Sequence, residues 1–92
     1  MRIRFYMDRE TDRPHVENHG VHPIECVEVL ERPGQDFAGQ RGARIAIGQT
    51  RMGWYLKVVY RLLGNDTLLV ITAYPIRGNE LAAYRRRLRR RR

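Results

Sequence analysis

Three histidines stand close together in the first quarter of the chain, His15, His19 and His22, in the pattern H-x-x-x-H-x-x-H. On a helix, His15 and His19 share one face, an i, i+4 spacing that suits a metal ion. No cysteine accompanies them, and Gly20 interrupts the helix before His22, so no metal and no cofactor is expected. His19 has two other uses. Imidazole exchanges protons near neutral pH and can serve as a general base; alternatively, ahead of Gly20, it closes a helix whose dipole favours it. The lone cysteine, Cys26, falls among buried-type positions with no histidine spaced to activate it, and reads as a packed thiol. Trp54 follows a glycine at the start of a strand; it can be a rim aromatic for a partner or a base, or the edge of a core.

The other chemistry-bearing feature is the end of the chain. Arg85 to Arg92 holds seven arginines and one leucine. The whole chain of 92 residues carries 18 Lys and Arg against 10 Asp and Glu, a formal charge of +8; residues 1–84 hold 11 cations and 10 acids, or +1. The positive charge therefore belongs to the terminus and not to the body. Arg85, Arg86, Arg87, Arg89 and Arg90 can bind RNA or DNA phosphates with salt-dependent affinity. They can equally dock an acidic partner segment, or form a helix end frayed by mutual repulsion.

At 42% hydrophobic and 30% charged, the composition excludes a disordered polar chain. No apolar run reaches the 18 residues of a membrane span, and the N-terminus lacks the apolar stretch of a secretory signal. One cysteine excludes an internal disulfide, and a reducing cytoplasm is the expected compartment. The length allows one domain, with residues 1–84 as its body and 85–92 as an Arg-rich helix end. So small a core leaves room for a partner subunit, a homodimer included, to add stability.

Elements must position these residues. Arg2 to Tyr6 alternates as a half-buried strand. Pro14 to His19 reads as a short helix stopped by Gly20, and Pro23 to Arg32 as a second, with Ile24, Val27 and Leu30 on its buried face and Glu28 pairing with Arg32. Gln35 to Gly42 reads as a loop. Arg44 to Thr50, Tyr55 to Arg61 and Leu68 to Tyr74 read as strands joined by the turns Arg51-Met52-Gly53 and Gly64-Asn65-Asp66. Asn79 caps a last helix with an apolar stripe of Leu81, Tyr84 and Leu88. The expected class is α+β, in the order β-α-α-β-β-β-α, with an antiparallel sheet packed against helices.

Asp8 is followed 11 residues on by His19-Gly20, then Val21, Glu25, Val29 and Leu30. Ile45-Ala46-Ile47-Gly48 and Leu56-Lys57-Val58-Val59-Tyr60 follow, and Ile71-Thr72-Ala73-Tyr74, with Glu80 and Tyr84, closes the series. In this order and at this spacing the stretches resemble the His-Gly pair, two strands and the closing motif of the BrnT toxin family, in the RelE/ParE-like type II toxin–antitoxin superfamily. The match covers most of the chain. Three positions depart from it: Thr11 stands where the family has a Lys, and Ala43 and Tyr74 stand where it has Arg. The Ile-Thr-Ala-Tyr version is closer to a related group of uncharacterised small domains.

The resemblance implies a RelE-like fold, a cognate antitoxin as partner, and metal-independent cleavage of RNA, free or ribosome-bound. In that reaction the ribose 2′-OH attacks the neighbouring phosphorus, which requires a base, an acid and fixed cations. The candidates are Arg77, placed to replace the missing family Arg, Arg44 at a strand start, Tyr74 as proton donor or base-stacking ring, and His19 as base. Lys57 and Arg41 join the terminal arginines as nucleic-acid contacts. Each has a plainer reading, as a loop cation, an edge-strand charge or a packed aromatic. Loss of the family cations also motivates an alternative: a catalytically silent RelE-like module that binds nucleic acid or a partner protein.

Overall fold

The structure, a computed structural model, describes residues 1–90; Arg91 and Arg92, the last two of the terminal arginines, lie outside the described residues. In chain order the elements are β1 (Arg2–Phe5), a small hairpin of β2 (Met7–Asp8) and β3 (Arg13–Pro14), a 3-10 turn (His15–His19), α1 (Pro23–Glu31), β4 (Gln35–Ala38), β5 (Arg44–Gln49), β6 (Tyr55–Gly64), β7 (Thr67–Pro75) and α2 (Gly78–Arg90). The main sheet has five strands in the order β1-β7-β6-β5-β4.

β4 to β7 run as an antiparallel meander, whereas β1 pairs parallel with β7, Ile3 beside Leu68 and Phe5 beside Val70. The sheet is therefore mixed, which corrects the all-antiparallel expectation. The crossover from β1 runs through α1 and the first three strands of the meander, and β7 then lies between β6 and β1. Asn65 and Asp66 turn the chain between β6 and β7 with φ of 52° and 56°, residue types that tolerate the left-handed region. Between Val59 and Tyr60 the register shifts, so that Ile71 has no opposite residue and β7 bulges.

Strand alternation splits the side chains between two cores. On one face Ala46, Leu56, Val58, Tyr60, Leu68 and Val70 meet Val16 of the 3-10 turn and Cys26 and Val29 of α1. On the other, Ile47 packs with Ile76 and Tyr84, bordered by Leu81 and Leu88 of α2. Each fully buried aliphatic side chain contributes about 1.5–3 kcal/mol by leaving water. Helices thus cover both faces of the sheet, and no helix among the described residues is long and apolar enough to cross a membrane.

Five further expectations change. Gln35–Ala38 is an edge strand and not loop, because its backbone pairs with β5 although only Phe37 gives it apolar weight. Pro14 belongs to β3, and the first helix is a 3-10 turn of His15–His19. The buried face of α1 is Cys26 and Val29, with the expected Leu30 packed against that core and Ile24 61% exposed. Glu28 does not pair with Arg32; it accepts the Arg51 backbone N–H at 3.1 Å and tethers α1 to the β5–β6 turn. α2 begins at Gly78, so Asn79 falls inside its first turn.

Candidate functional site

The 3-10 turn packs against β7, whose edge is open from Ile71 on because the β1 pairing ends at Val70. Val16 anchors it in the core, and Gly20, with φ of 75°, turns the chain away after His19 in a conformation that glycine adopts without strain. His19 is exposed, and its ring lies edge-on to Tyr74, with centroids 6.0 Å apart. Behind it His15 meets the His19 ring at 5.4 Å, and Tyr6 meets His15 at 6.1 Å. Four aromatic rings therefore run in file from the β2–β3 hairpin to the end of β7.

On the far side of Tyr74 stands Lys57. The two residues are opposite one another in the β6–β7 ladder, and the ammonium lies 5.7 Å from the Tyr74 ring centre. Lys57 Nζ donates to Glu80 Oε2 at 2.8 Å, which joins β6 to the first turn of α2. That hydrogen bond, with the Tyr74 phenol adding to it, holds the lysine above its ordinary range against the effect of partial burial. At the other end of the file, Asn18 donates to Asp8 Oδ2, and His15 Nδ1 lies 3.7 Å from the same oxygen. The Asn18 bond, followed by the Glu10 backbone N–H at 2.8 Å, holds the Asp8 carboxyl below its ordinary value. Asp8 is therefore an ionised anchor for the His15 end of the file.

Three of the sequence candidates, His19, Tyr74 and Lys57, thus come together. Arg77 is exposed on the loop between β7 and α2 and lines an adjoining cavity of about 290 Å³ with Gly20, His22, Glu25, Trp54 and Pro75. Gly20 and Pro75 are the chain neighbours of His19 and Tyr74, so the cavity and the ring file meet. Arg44 does not join them. It pairs with Tyr60 in the ladder, three rungs from Lys57 and on the opposite face, and its guanidinium donates to Asp36 at 3.1 Å. The Tyr60 hydroxyl donates to the other oxygen of Asp36, so Arg44 is part of a clamp between β4, β5 and β6. Arg41 is exposed in the β4–β5 loop and is not among the residues of the ring file or of the cavity lining.

No family model, curated protein or solved structure matches this chain. What the site can do is therefore read from its own groups. Imidazole can take a proton, a phenol can donate one, and a lysine and an arginine can hold a phosphate oxygen. No three His, Cys, Asp or Glu side chains among the described residues are grouped to hold a metal ion.

The terminal arginines divide by role. Arg85 lies 5.1 Å from the Tyr55 ring centre and Arg87 Nε donates to Gln35 Oε1 at 3.0 Å; both fasten α2 to the sheet. Arg86, Arg89 and Arg90 are exposed. α2 runs unbroken across the expected boundary at residue 84, so the described arginines belong to a folded helix. Sequence reasoning missed Asp8, His15 and Asn18 as a group, and it gave Glu80 no partner. Glu80 is 23 residues from Lys57, and no local pattern links them.

Proposed function

We propose that this chain is a metal-independent endoribonuclease with a RelE-like fold, the toxin of a type II toxin–antitoxin pair acting in the cytoplasm. The observation that carries the reading is the juxtaposition of His19, Tyr74 and Lys57 at the open edge of β7. A phosphodiester lying over Tyr74 has an imidazole on one side and an ammonium on the other. His19 takes the proton from the ribose 2′-OH, the 2′-oxygen bonds to phosphorus, and the bond from phosphorus to the 5′-oxygen breaks. Tyr74 gives its proton to the departing oxygen. Lys57 and Arg77 stabilise the charge that builds on the non-bridging oxygens. The products are a 2′,3′-cyclic phosphate and a 5′-hydroxyl. A cognate antitoxin then inhibits the enzyme by covering this edge.

The test is cleavage of a defined RNA in EDTA by the purified chain, with and without ribosomes, beside Lys57→Ala. Cleavage by the wild type and its loss in the variant support the reading; equal cleavage by both contradicts it.

A second reading has its own observation. Lys57 and Arg44 are engaged by Glu80 and Asp36, while α2 presents Arg86, Arg89 and Arg90 exposed to solvent. A catalytically silent module would bind nucleic acid through α2 alone. RNA that stays intact in both assays, yet binds with a steep salt dependence, supports this second reading over the first.

A further inference from the structure

The cavity beside the ring file is built for more than phosphate. Trp54 is the sole tryptophan of the chain and is 59% exposed. Its backbone is pinned: its N–H donates to Thr50 Oγ1 at 3.0 Å and its carbonyl accepts from the Thr50 N–H at 2.7 Å. The turn thus displays an indole on the cavity rim without giving it a place in either core. Glu25 also lines the cavity; its Oε1 accepts the His22 backbone N–H at 2.9 Å and caps α1. This fixes a carboxylate where the helix would otherwise attract an anion, so the interior of the cavity suits hydrogen-bond donors. Arg77 supplies the one cation of the lining.

We infer that this cavity is a guanine subsite, with the base stacked on Trp54, its Watson–Crick edge on Glu25 and its phosphate at Arg77. The inference deepens the ribonuclease reading and rests on it for the identity of the substrate as RNA. Stacking on an indole accepts any base; the carboxylate discriminates. Guanine presents two adjacent donors, N1–H and N2–H, which a carboxylate accepts as a pair. Adenine and cytosine each set an acceptor nitrogen beside their amino group, and uracil flanks its one N–H with two carbonyls; both arrangements bring lone pairs against Glu25. Arg77, a planar fork of donors, matches phosphate whatever the base.

Trp54 fluorescence reads the binding directly. The full chain is titrated with guanosine, adenosine, cytidine and uridine 3′-monophosphates. Guanosine monophosphate is expected to quench saturably and to bind about tenfold or more tighter than the others. Glu25→Gln keeps an oxygen for the helix cap and should bring the four to within about twofold. Trp54→Ala, at an exposed position, should weaken guanosine binding about tenfold by calorimetry. Equal affinities in the wild type, or no saturable quenching by any of the four, overturn the inference. RNA cleavage measured alongside separates the two claims: cleavage without guanosine preference sinks the subsite alone, and guanosine binding beside inert RNA sinks the nuclease reading alone.

Discussion

Replacing Arg86, Arg89 and Arg90 by glutamine removes the arginines of α2 that point to solvent and leaves the two that hold the helix. Arg85 keeps its place on Tyr55 and Arg87 its bond to Gln35. The i, i+4 like-charge pairs Arg85–Arg89 and Arg86–Arg90 vanish, a gain of a few tenths of a kcal/mol each. Loss of cations at the helix end costs a similar amount. Stability should therefore change by less than about 1 kcal/mol, and any loss of binding is not unfolding. Each phosphate contact on a single strand contributes about 0.7 to the slope of log affinity against log salt, so the slope should fall by about 2. Between 50 and 200 mM salt, those contacts account for a drop of about 20-fold in wild-type affinity that the variant does not show. The assay is fluorescence anisotropy of a labelled 2′-O-methyl RNA, which the proposed chemistry cannot cut. A slope unchanged by the triple substitution would refute the assignment of α2 as the electrostatic face.

Three further outcomes follow from the same geometry. A Cβ at Gly34 would collide with the Tyr84 hydroxyl, so Gly34→Ala should destabilise the fold by about 1–3 kcal/mol in a thermal melt; an unchanged melting temperature would show that α2 does not depend on that contact. Burial pushes the Cys26 thiol up to about 12, so iodoacetamide at pH 8 should label only the unfolded chain, and rapid labelling of the folded protein would contradict the packing. The hydrogen bond to Glu80 holds the Lys57 ammonium above its ordinary value of 10.5. Its contribution is thus complete below that value and lost as pH rises through the higher folded one. The pair is partly exposed, so the effect is under about 1 kcal/mol. Glu80→Gln should flatten the alkaline decline of stability, and an identical decline in both proteins would contradict the ion pair.

The strands of the meander were legible because their side chains alternate over enough residues. Arg44–Gln49, Tyr55–Gly64 and Thr67–Pro75 fall within a few residues of where the pattern of β-branched and apolar residues puts them. β4 was not, since Gln35-Asp36-Phe37-Ala38 becomes a strand through its ladder with β5 and not through its own composition. Nor was the parallel pairing of β1, because the alternation Arg-Ile-Arg-Phe specifies a buried face and leaves the neighbour open. For α1, Ile24, Val27 and Leu30 satisfy helical spacing as well as Cys26 and Val29 do. What chose between them is the tether of Glu28 to the Arg51 backbone and the approach of β5. The site divides in the same way. His19, Tyr74 and Lys57 carry their chemistry in their residue types, but their meeting depends on the open edge of β7. The ion pairs that draw Arg44 to Asp36 and Lys57 to Glu80 span 8 and 23 residues and leave no local trace.

The central claim is that His19 removes the 2′-OH proton beside Tyr74 and Lys57. The measurement is mass spectrometry of the RNA ends made in EDTA, with single-turnover rates for the wild type and His19→Ala. The account predicts 2′,3′-cyclic phosphate ends from the wild type and a rate about 10²- to 10⁴-fold lower in the variant. Linear 5′-phosphate ends, or an unchanged rate in His19→Ala, would contradict it.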